Sequence, residues 1–277
     1  MIVLNGHEIT PTVFPDGTSQ VWKFDGIKEP HSNTVVWYFE SESEISHLSQ
    51  LKTFLDCRAY SPEQTEQVLY IPYLPYARQD KTVRADQTFA LHGFARLLNA
   101  MKWDRVIAFD AHSSVPKALI NNFINLTPDF SWADYDAVIF PDKGAQQRYM
   151  NLFPAQSFSA QKVRDQETGR ITHYTFEHHD LIQGKRVLVV DDLCDGGATF
   201  KILGKCLFGV KEVSLYVSHG IFSKGIDELL NYYDTIITTN TYKPSEHLFD
   251  HTEFGDRFQV LNWENSYDEA YQSALSY

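Results

Sequence analysis

The segment Arg186 to Phe200, RVLVVDDLCDGGATF, limits the fold more than any other part of the chain. Val187 to Val190 are four apolar residues without alternation, which predicts a strand buried on both faces. Asp191 and Asp192 close that strand. Asp195, Gly196 and Gly197 then turn the chain into a helix expected to begin near Thr199. A strand buried on both faces needs helices above and below it, so the segment calls for a mainly parallel α/β sheet. In such sheets ligands bind at the carboxyl ends of the strands. Paired carboxylates placed there can hold sugar hydroxyls or a hydrated Mg²⁺. Two glycines let the backbone approach an anion, and the helix start aims free N–H groups at it. One Asp and a glycine would suit a plain capped turn. Three Asp with two Gly at one strand end favour a ribose-phosphate site.

The rest of the chain repeats this plan. VVWYF (Val35 to Phe39), VLYIPY (Val68 to Tyr73) and VIAFD (Val106 to Asp110) read as strands. SEISHLSQLKTFLDC and QTFALHGFARLLNAM read as the helices between them, the second burying Phe89, Leu91, Phe94, Leu97 and Leu98 on one face. AVIF, RVLVVDD, EVSLYVSH and TIITTN continue as strands, with KGAQQRYMNLF, TFKILGKCLFG and KGIDELLNYY as helices. At 277 residues the chain has room for roughly two domains. Helix signals fade over Asn121 to Ala137, which places the boundary at about residue 130: an amino-terminal domain 1–130 and a carboxy-terminal domain 131–277. The polar stretch Ser159 to Tyr174 reads as a hairpin tip or a mobile loop.

Composition narrows the chemistry. Asp and Glu number 36 against 24 Lys and Arg, a net charge of −12, which argues against a broad basic footprint for nucleic acid. Small phosphorylated ligands stay possible, because a few local cations suffice for them. Cys57, Cys194 and Cys206 form no CxxC pair, so neither a disulfide framework nor a cysteine zinc site is expected. A reducing compartment fits that usage. MIVLNGHEIT is not a secretory signal, and no apolar run nears the roughly 18 residues that span a bilayer. The expectation is a cytoplasmic protein with no membrane partner.

Three further segments carry candidate chemistry. YIPYLPYARQDKTVR (Tyr70 to Arg84) leads from a strand into Arg78, Gln79, Asp80 and Lys81. Arg can clamp a phosphate and Gln can read an adenine edge. The plainer reading is a solvated charged loop in which Tyr73 and Tyr76 pack. FDAHSS places Asp110 and His112 at a strand end, and FPDKGAQQR places Asp142, Lys143 and Gly144 at another. Alone, each reads as an ordinary turn. Neither a Walker A sequence nor GxGxxG is present, so a nucleotide must be held in another way.

In this order the segments resemble the ribose-phosphate pyrophosphokinases, which move the β,γ-diphosphate of ATP onto the anomeric hydroxyl of ribose 5-phosphate and release AMP. The resemblance runs from FPDGTSQV (Phe14 to Val21) through PYLPYARQDK to SHGIFSKG (Ser218 to Gly225) and TTNT (Thr238 to Thr241). It implies two pseudo-symmetric domains of phosphoribosyltransferase type, each a mainly parallel sheet flanked by helices. It implies ATP binding by Phe14, Asp16, Arg78, Gln79 and His112, with Mg²⁺ on the triphosphate held by His112 and Asp142. Asp142, Lys143 and Gly144 fall in its diphosphate loop. Asp191, Asp192, Asp195, Gly196, Gly197, Ala198 and Thr199 fall in its ribose-phosphate loop. Lys162 and Arg164 match its catalytic Lys-x-Arg pair. A homo-oligomer, a dimer or a multiple of dimers, goes with the same resemblance.

The chain departs from that family in three places. Phe14 lies about one strand and one helix nearer the start, and Thr18 stands where the adenine turn has an acidic residue. The ribose-phosphate loop reads Asp195-Gly196-Gly197-Ala198-Thr199 in place of Asp-Thr-(small)-Gly-Thr, which removes a hydroxyl donor and side-chain bulk. The altered loop suggests a second acceptor besides free ribose 5-phosphate: ADP-ribose, whose phosphodiester carries less charge and needs more room, giving ADP-ribose 1-diphosphate for NAD synthesis. A phosphoribosyltransferase and an inactive regulatory homologue are the rival functions.

Overall fold

The computed structural model describes residues 1–24, 32–58, 65–129, 134–153, 156–164, 171–242 and 254–266; the side chains of 162–164 and 171–174 lie outside that description. The chain divides into two units. One comprises Met1–Thr127 with Thr241 and Tyr242, and the other comprises Pro128–Asn240 with the stretch 254–266.

The first unit opens with a hairpin that the strand reading of the sequence passed over. β1 (Ile2–Leu4) and β2 (His7–Ile9) join across Asn5 and Gly6, whose φ angles are +50° and +83°. An Asn-Gly pair with both φ positive matches the twist of the flanking strands, so the turn is set locally. A second small hairpin follows, β3 (Thr12–Val13) with β4 (Ser19–Gln20). Next come β5 (Ser32–Trp37), α1 (Glu44–Arg58), β6 (Glu66–Ile71), α2 (Ala90–Met101), β7 (Arg105–Phe109), α3 (Val115–Leu119) and β8 (Phe123–Leu126). The sheet order is β2-β1-β5-β6-β7-β8; β5 to β8 run parallel, and β1 is antiparallel to β5. Val35, Trp37, Leu69, Ile71, Val106 and Ala108 share one sheet face. They form a core with Leu48, Leu51 and Leu55 of α1 and with Leu91, Phe94 and Leu98 of α2. Each of those large side chains gains about 1.5–3 kcal/mol on burial. Leu97, expected in that face, is 50% exposed, and Ala95 takes its place. The helical period sets Leu91, Ala95 and Leu98 in one row and rotates Leu97 away from it.

The second unit repeats the order. β9 (Ala137–Phe140), α4 (Lys143–Tyr149) and β10 (Gln156–Ser159) come first, followed by β11 (Gln161–Arg164) and β12 (Ile171–Thr175). α5 (His179–Ile182), β13 (Arg186–Cys194), α6 (Ala198–Gly204), β14 (Glu212–Gly220), β15 (Thr235–Thr239) and β16 (Phe258–Leu261) complete it. The sheet runs β10-β9-β13-β14-β15-β16, all parallel. β11 and β12 form an antiparallel ribbon of their own. The sheet is covered on both faces, as the unalternating apolar run of β13 requires. Val187 and Val189 pack with Ile182, Phe200 and Leu203 on one side. Leu188 and Val190 pack with Ala145 and Tyr149 of α4 on the other.

Two helices are shorter than their apolar pattern suggests. α6 stops at Gly204, where a Cβ would come within 2.6 Å of the Tyr232 side chain, so the helix ends in a tight crossing. Lys224 to Tyr233 is turns plus a single 3₁₀ turn at Leu229–Asn231. Positive φ at Phe222 (+45°) and Gly225 (+72°) delays any helix, while Ile226, Leu229 and Tyr233 still bury their side chains. No described helix is long and apolar enough to cross a membrane.

Candidate active site

The sequence reading closes the strand at Asp191 and Asp192, but β13 runs on to Cys194, still paired with β14; one guanidinium holds both carboxylates. An Arg148 Nη donates to Asp191 Oδ1 at 2.8 Å and to Asp192 Oδ1 at 2.5 Å. Side-chain exposure is 15% for Asp191, 5% for Asp192 and 21% for Arg148, so water screens the trio weakly. Burial first, and then the adjacent Asp192 charge, push the Asp191 carboxyl well above the usual range; Arg148 offsets part of this. The Asp192 amide also donates to Asp191 Oδ1 at 2.9 Å. Arg148 had no assigned role in the sequence reading, although it closes the FPDKGAQQR segment. Its signal was position: it lies on α4, the helix packed over the apolar face of β9 and β13.

Asp142 starts that same helix. Its Oδ1 accepts from the Ala145 amide at 2.9 Å, an N-cap with extended backbone. A Cβ on Gly144 would lie 3.1 Å from Asp142 Oδ1, so glycine leaves the capping oxygen uncrowded. Lys143 and Gly144 are exposed.

Beyond β13 the turn is latched from the β14 side. Ile221 and Phe222 amides donate to the Cys194 carbonyl at 2.9 and 3.1 Å, and Ser223 Oγ donates to Asp195 Oδ1 at 2.5 Å. Gly197 needs its φ of +71°, and a Cβ there would meet Leu229 at 3.1 Å. A Cβ on Gly196 would meet the Lys224 stem at 3.5 Å. The volume that the two glycines give up is therefore taken by Leu229 and Lys224. The expectation that reduced bulk makes room for a larger acceptor does not translate into open space beside these residues. Ala198 and Thr199 begin α6. Burial, then Asp195 and Asp191, push the Cys194 thiol up to about 12, which disfavours its thiolate.

In the first unit, His112 lies in the turn after β7. Asp110 holds a φ of +46°, its amide donates to the Leu126 carbonyl at 2.8 Å, and the Ala111 amide donates to Asn125 Oδ1 at 2.8 Å. A short polar residue tolerates that left-handed backbone better than a bulky one. In the aromatic loop both sequence readings coexist. Tyr76, at φ +63°, packs on Phe94 with ring centres 5.2 Å apart and donates to Glu42 Oε1 at 2.6 Å. Burial and then Glu42 push its hydroxyl up to about 12. That anchoring leaves Arg78 and Gln79 exposed beside it. Phe14 and Asp16 form the tip of the β3–β4 hairpin. Asp16 Oδ1 accepts from the Thr18 hydroxyl at 2.7 Å and the Thr18 amide at 3.0 Å, which lowers its carboxyl. Phe14 is 39% exposed. Lys162 and Arg164 lie on β11, with a register shift between Val163 and Arg164; their side chains fall outside the described residues.

No family model matches the chain. Curated relatives do. The ribose-phosphate pyrophosphokinase of Mycoplasmopsis pulmonis is 25% identical over 250 residues, which is 85% of this chain and 77% of that one. The enzyme of the same name from Thermococcus kodakarensis is 26% identical over 189 residues, covering 62% of this chain and 65% of that one. The crystal structure of phosphoribosylpyrophosphate synthetase from Mycobacterium smegmatis superposes on 97% of this chain and 88% of its own, with a TM-score of 0.74 and 20% identity, a likeness of fold. The chain is thus similar in sequence to ribose-phosphate pyrophosphokinases and shares the fold of one of them. Those relatives are diphosphotransferases, and this chain is such an enzyme. The described residues group as follows. The second unit brings Asp142, Arg148, Asp191, Asp192, Asp195 and the two glycines to the carboxyl ends of β9 and β13. The first unit brings His112 to the carboxyl end of β7 and Arg78 and Gln79 to the loop after β6. No group of three or more His, Cys, Asp or Glu among the described residues could hold a metal ion on its own.

Proposed function

We propose that the protein transfers the β,γ-diphosphate of ATP to the anomeric 1-hydroxyl of ribose 5-phosphate and releases AMP. The observation that carries this reading is the acidic pair Asp191–Asp192 in the carboxyl-terminal half of β13, followed by the Asp195-Gly196-Gly197 turn, in a chain whose relatives carry that activity in their names. The carboxylates suit the sugar: hydrogen bonds from hydroxyls to charged groups contribute about 1.5–3 kcal/mol each. Asp195 to Thr199 receive the 5-phosphate. Arg78, Gln79, His112, Phe14 and Asp16 take ATP, and Asp142, Lys143 and Gly144 take the diphosphate.

In the reaction the 1-hydroxyl oxygen bonds to the β-phosphorus, the bond from that phosphorus to the α–β bridging oxygen breaks, and the hydroxyl proton is lost to solvent. Such transfers rest on positioning and charge neutralisation. Lys162 and Arg164 stabilise the negative charge gathering on the leaving AMP. Mg²⁺, when bound to ATP, would neutralise its phosphate oxygens; such an ion needs one or two carboxylates besides phosphate, and in the second unit Asp142 would supply one. Phe14, at the exposed hairpin tip, suits a homo-oligomer in which this turn serves a neighbouring copy. The acidic surface suits a protein without nucleic-acid partners in the cytoplasm.

Free ribose 5-phosphate is preferred to ADP-ribose as acceptor, since Leu229 and Lys224 fill the space beside the two glycines. Purified protein with ATP and Mg²⁺ should release AMP when ribose 5-phosphate is added. AMP only with ADP-ribose would reverse the acceptor. Pyrophosphate release from phosphoribosyl diphosphate and a base would point to a phosphoribosyltransferase. ATP binding with no turnover on either acceptor would point to a regulatory homologue.

A further inference from the structure

We infer that Lys224 is a specificity-determining residue of the acceptor site, reading the charge of a terminal phosphomonoester. The inference rests on the ribose-phosphate reading of the Asp195–Thr199 loop and adds a residue from outside it. The turn after β14 presses onto that loop through the Cys194 carbonyl and through Ser223 on Asp195. Lys224 is the next residue. A Cβ built on Gly196 would lie 3.5 Å from both Cδ and Cε of Lys224 and 3.7 Å from Cγ, so the aliphatic stem runs across the bare backbone of Gly196. Stems of this kind lie along a surface while the ammonium stays in water.

Of the acids near Lys224 in the chain and on the loop, two are engaged, and Asp227 sets its carboxylate beside Gly225. Asp195 accepts from Ser223, and Glu228 is paired with Lys201. Lys224 forms no ion pair among the described residues. It lowers the Glu228 carboxyl only after the larger effect of Lys201. A cation is thus carried to the loop and left available there. The loop itself offers one hydroxyl side chain, Thr199. A phosphomonoester reaches a charge of −2 above its second ionisation near pH 6, whereas a diester stays at −1. A positive charge at Gly196 therefore favours the monoester, and it restores attraction that the loop's own side chains do not supply.

The test compares wild type with Lys224→Met and Lys224→Arg, following AMP release at varied ribose 5-phosphate and measuring ribose 5-phosphate and ribose binding by calorimetry. Lys224→Met should raise KM for ribose 5-phosphate about tenfold or more, the usual scale for one charged hydrogen bond. KM for ATP should move less than twofold, and Lys224→Arg should restore most of the loss. The fall in wild-type KM as pH rises through about 6 should flatten in Lys224→Met. Thermal melts confirm that each variant folds, and Lys224→Arg carries the test should Lys224→Met fail to fold. A KM within twofold of wild type in Lys224→Met, or an unfolded Lys224→Met beside a Lys224→Arg with wild-type pH dependence lost, overturns the inference. If wild type releases no AMP with ribose 5-phosphate, the proposed function fails and calorimetry decides Lys224 separately: tighter binding of ribose 5-phosphate than ribose, lost in Lys224→Met, upholds it, and equal or absent binding ends it.

Discussion

In the connection after β5, the Glu44 carboxylate is consumed by its surroundings. It accepts from the Trp37 indole at 3.0 Å, from the Glu40 and Ser41 amides at 2.8 and 3.2 Å, and from the Met1 amine. Burial alone would raise its carboxyl, and those donors together hold it below the ordinary value instead. In the second unit, the strand of matching rank is β13. There Asp191 and Asp192 share one guanidinium, and burial drives Asp191 upward. Similar sheets thus carry acids in opposite states. Many fixed donors make a carboxylate structural. Two adjacent buried carboxylates that share one guanidinium stay under-neutralised, and Asp191 is pushed up as a result.

The largest expected effect separates the two regions outright. Asp191→Asn with Asp192→Asn should lower kcat/KM for ribose 5-phosphate by about 10³, from two charged hydrogen bonds of about 2 kcal/mol each, while the protein stays folded by circular dichroism. An activity loss below tenfold would remove the pair from sugar binding. Next in size, Arg148→Ala takes the guanidinium away from two buried carboxylates and should cost about 3 kcal/mol in urea unfolding at neutral pH, recovering in acid. Equal loss at both pH values would mean that Arg148 acts by packing. Glu44→Gln should cost about 2 kcal/mol of stability with ribose 5-phosphate kinetics unchanged, the converse of the aspartate pair. A changed KM there would erase the contrast. Smallest, Asp142→Ala should lose about 1 kcal/mol of unfolding free energy through the missing cap, and Asp142→Asn only a few tenths.

The acid and alkaline limbs of stability sharpen the same contrast. Glu44 has a depressed folded pKa, so its contribution is present above its unfolded value and lost as pH falls through the folded one. Asp191 has a raised folded pKa, so its contribution is full below the unfolded value and lost as pH rises through the folded one. Urea midpoints measured across about pH 4 to 8 should therefore lose their acid-side slope in Glu44→Gln and part of their decline toward neutrality in Asp191→Asn.

What could be read in advance follows from how local each cause is. β13 was legible because four unalternating apolar residues permit little else, and the loop after it because carboxylates and glycines crowd one strand end. The β1–β2 hairpin was missed although Asn5-Gly6 announces it, since three-residue strands carry almost no periodicity. Leu97 was misplaced because a helix with apolar residues at adjacent positions leaves its buried arc ambiguous by one residue. Arg148 was illegible for a different reason. Its partners lie 43 and 44 positions away, and the packing of α4 over the sheet, not any spacing along the chain, brings them together.

The ribbon of β11 and β12 is anchored at a fixed point. Ser159 ends β10 in register with Phe140, and the amide of buried Ala160 donates to the Phe140 carbonyl at 2.9 Å. Lys162 follows two residues later and Arg164 four. A peptide advances at most about 3.6 Å per residue, so the backbones of these two residues can swing no farther than about 7 and 14 Å from a pivot set two residues before Asp142 on the neighbouring strand. The tether works as a short leash that keeps the backbone of both residues near the same end of the sheet.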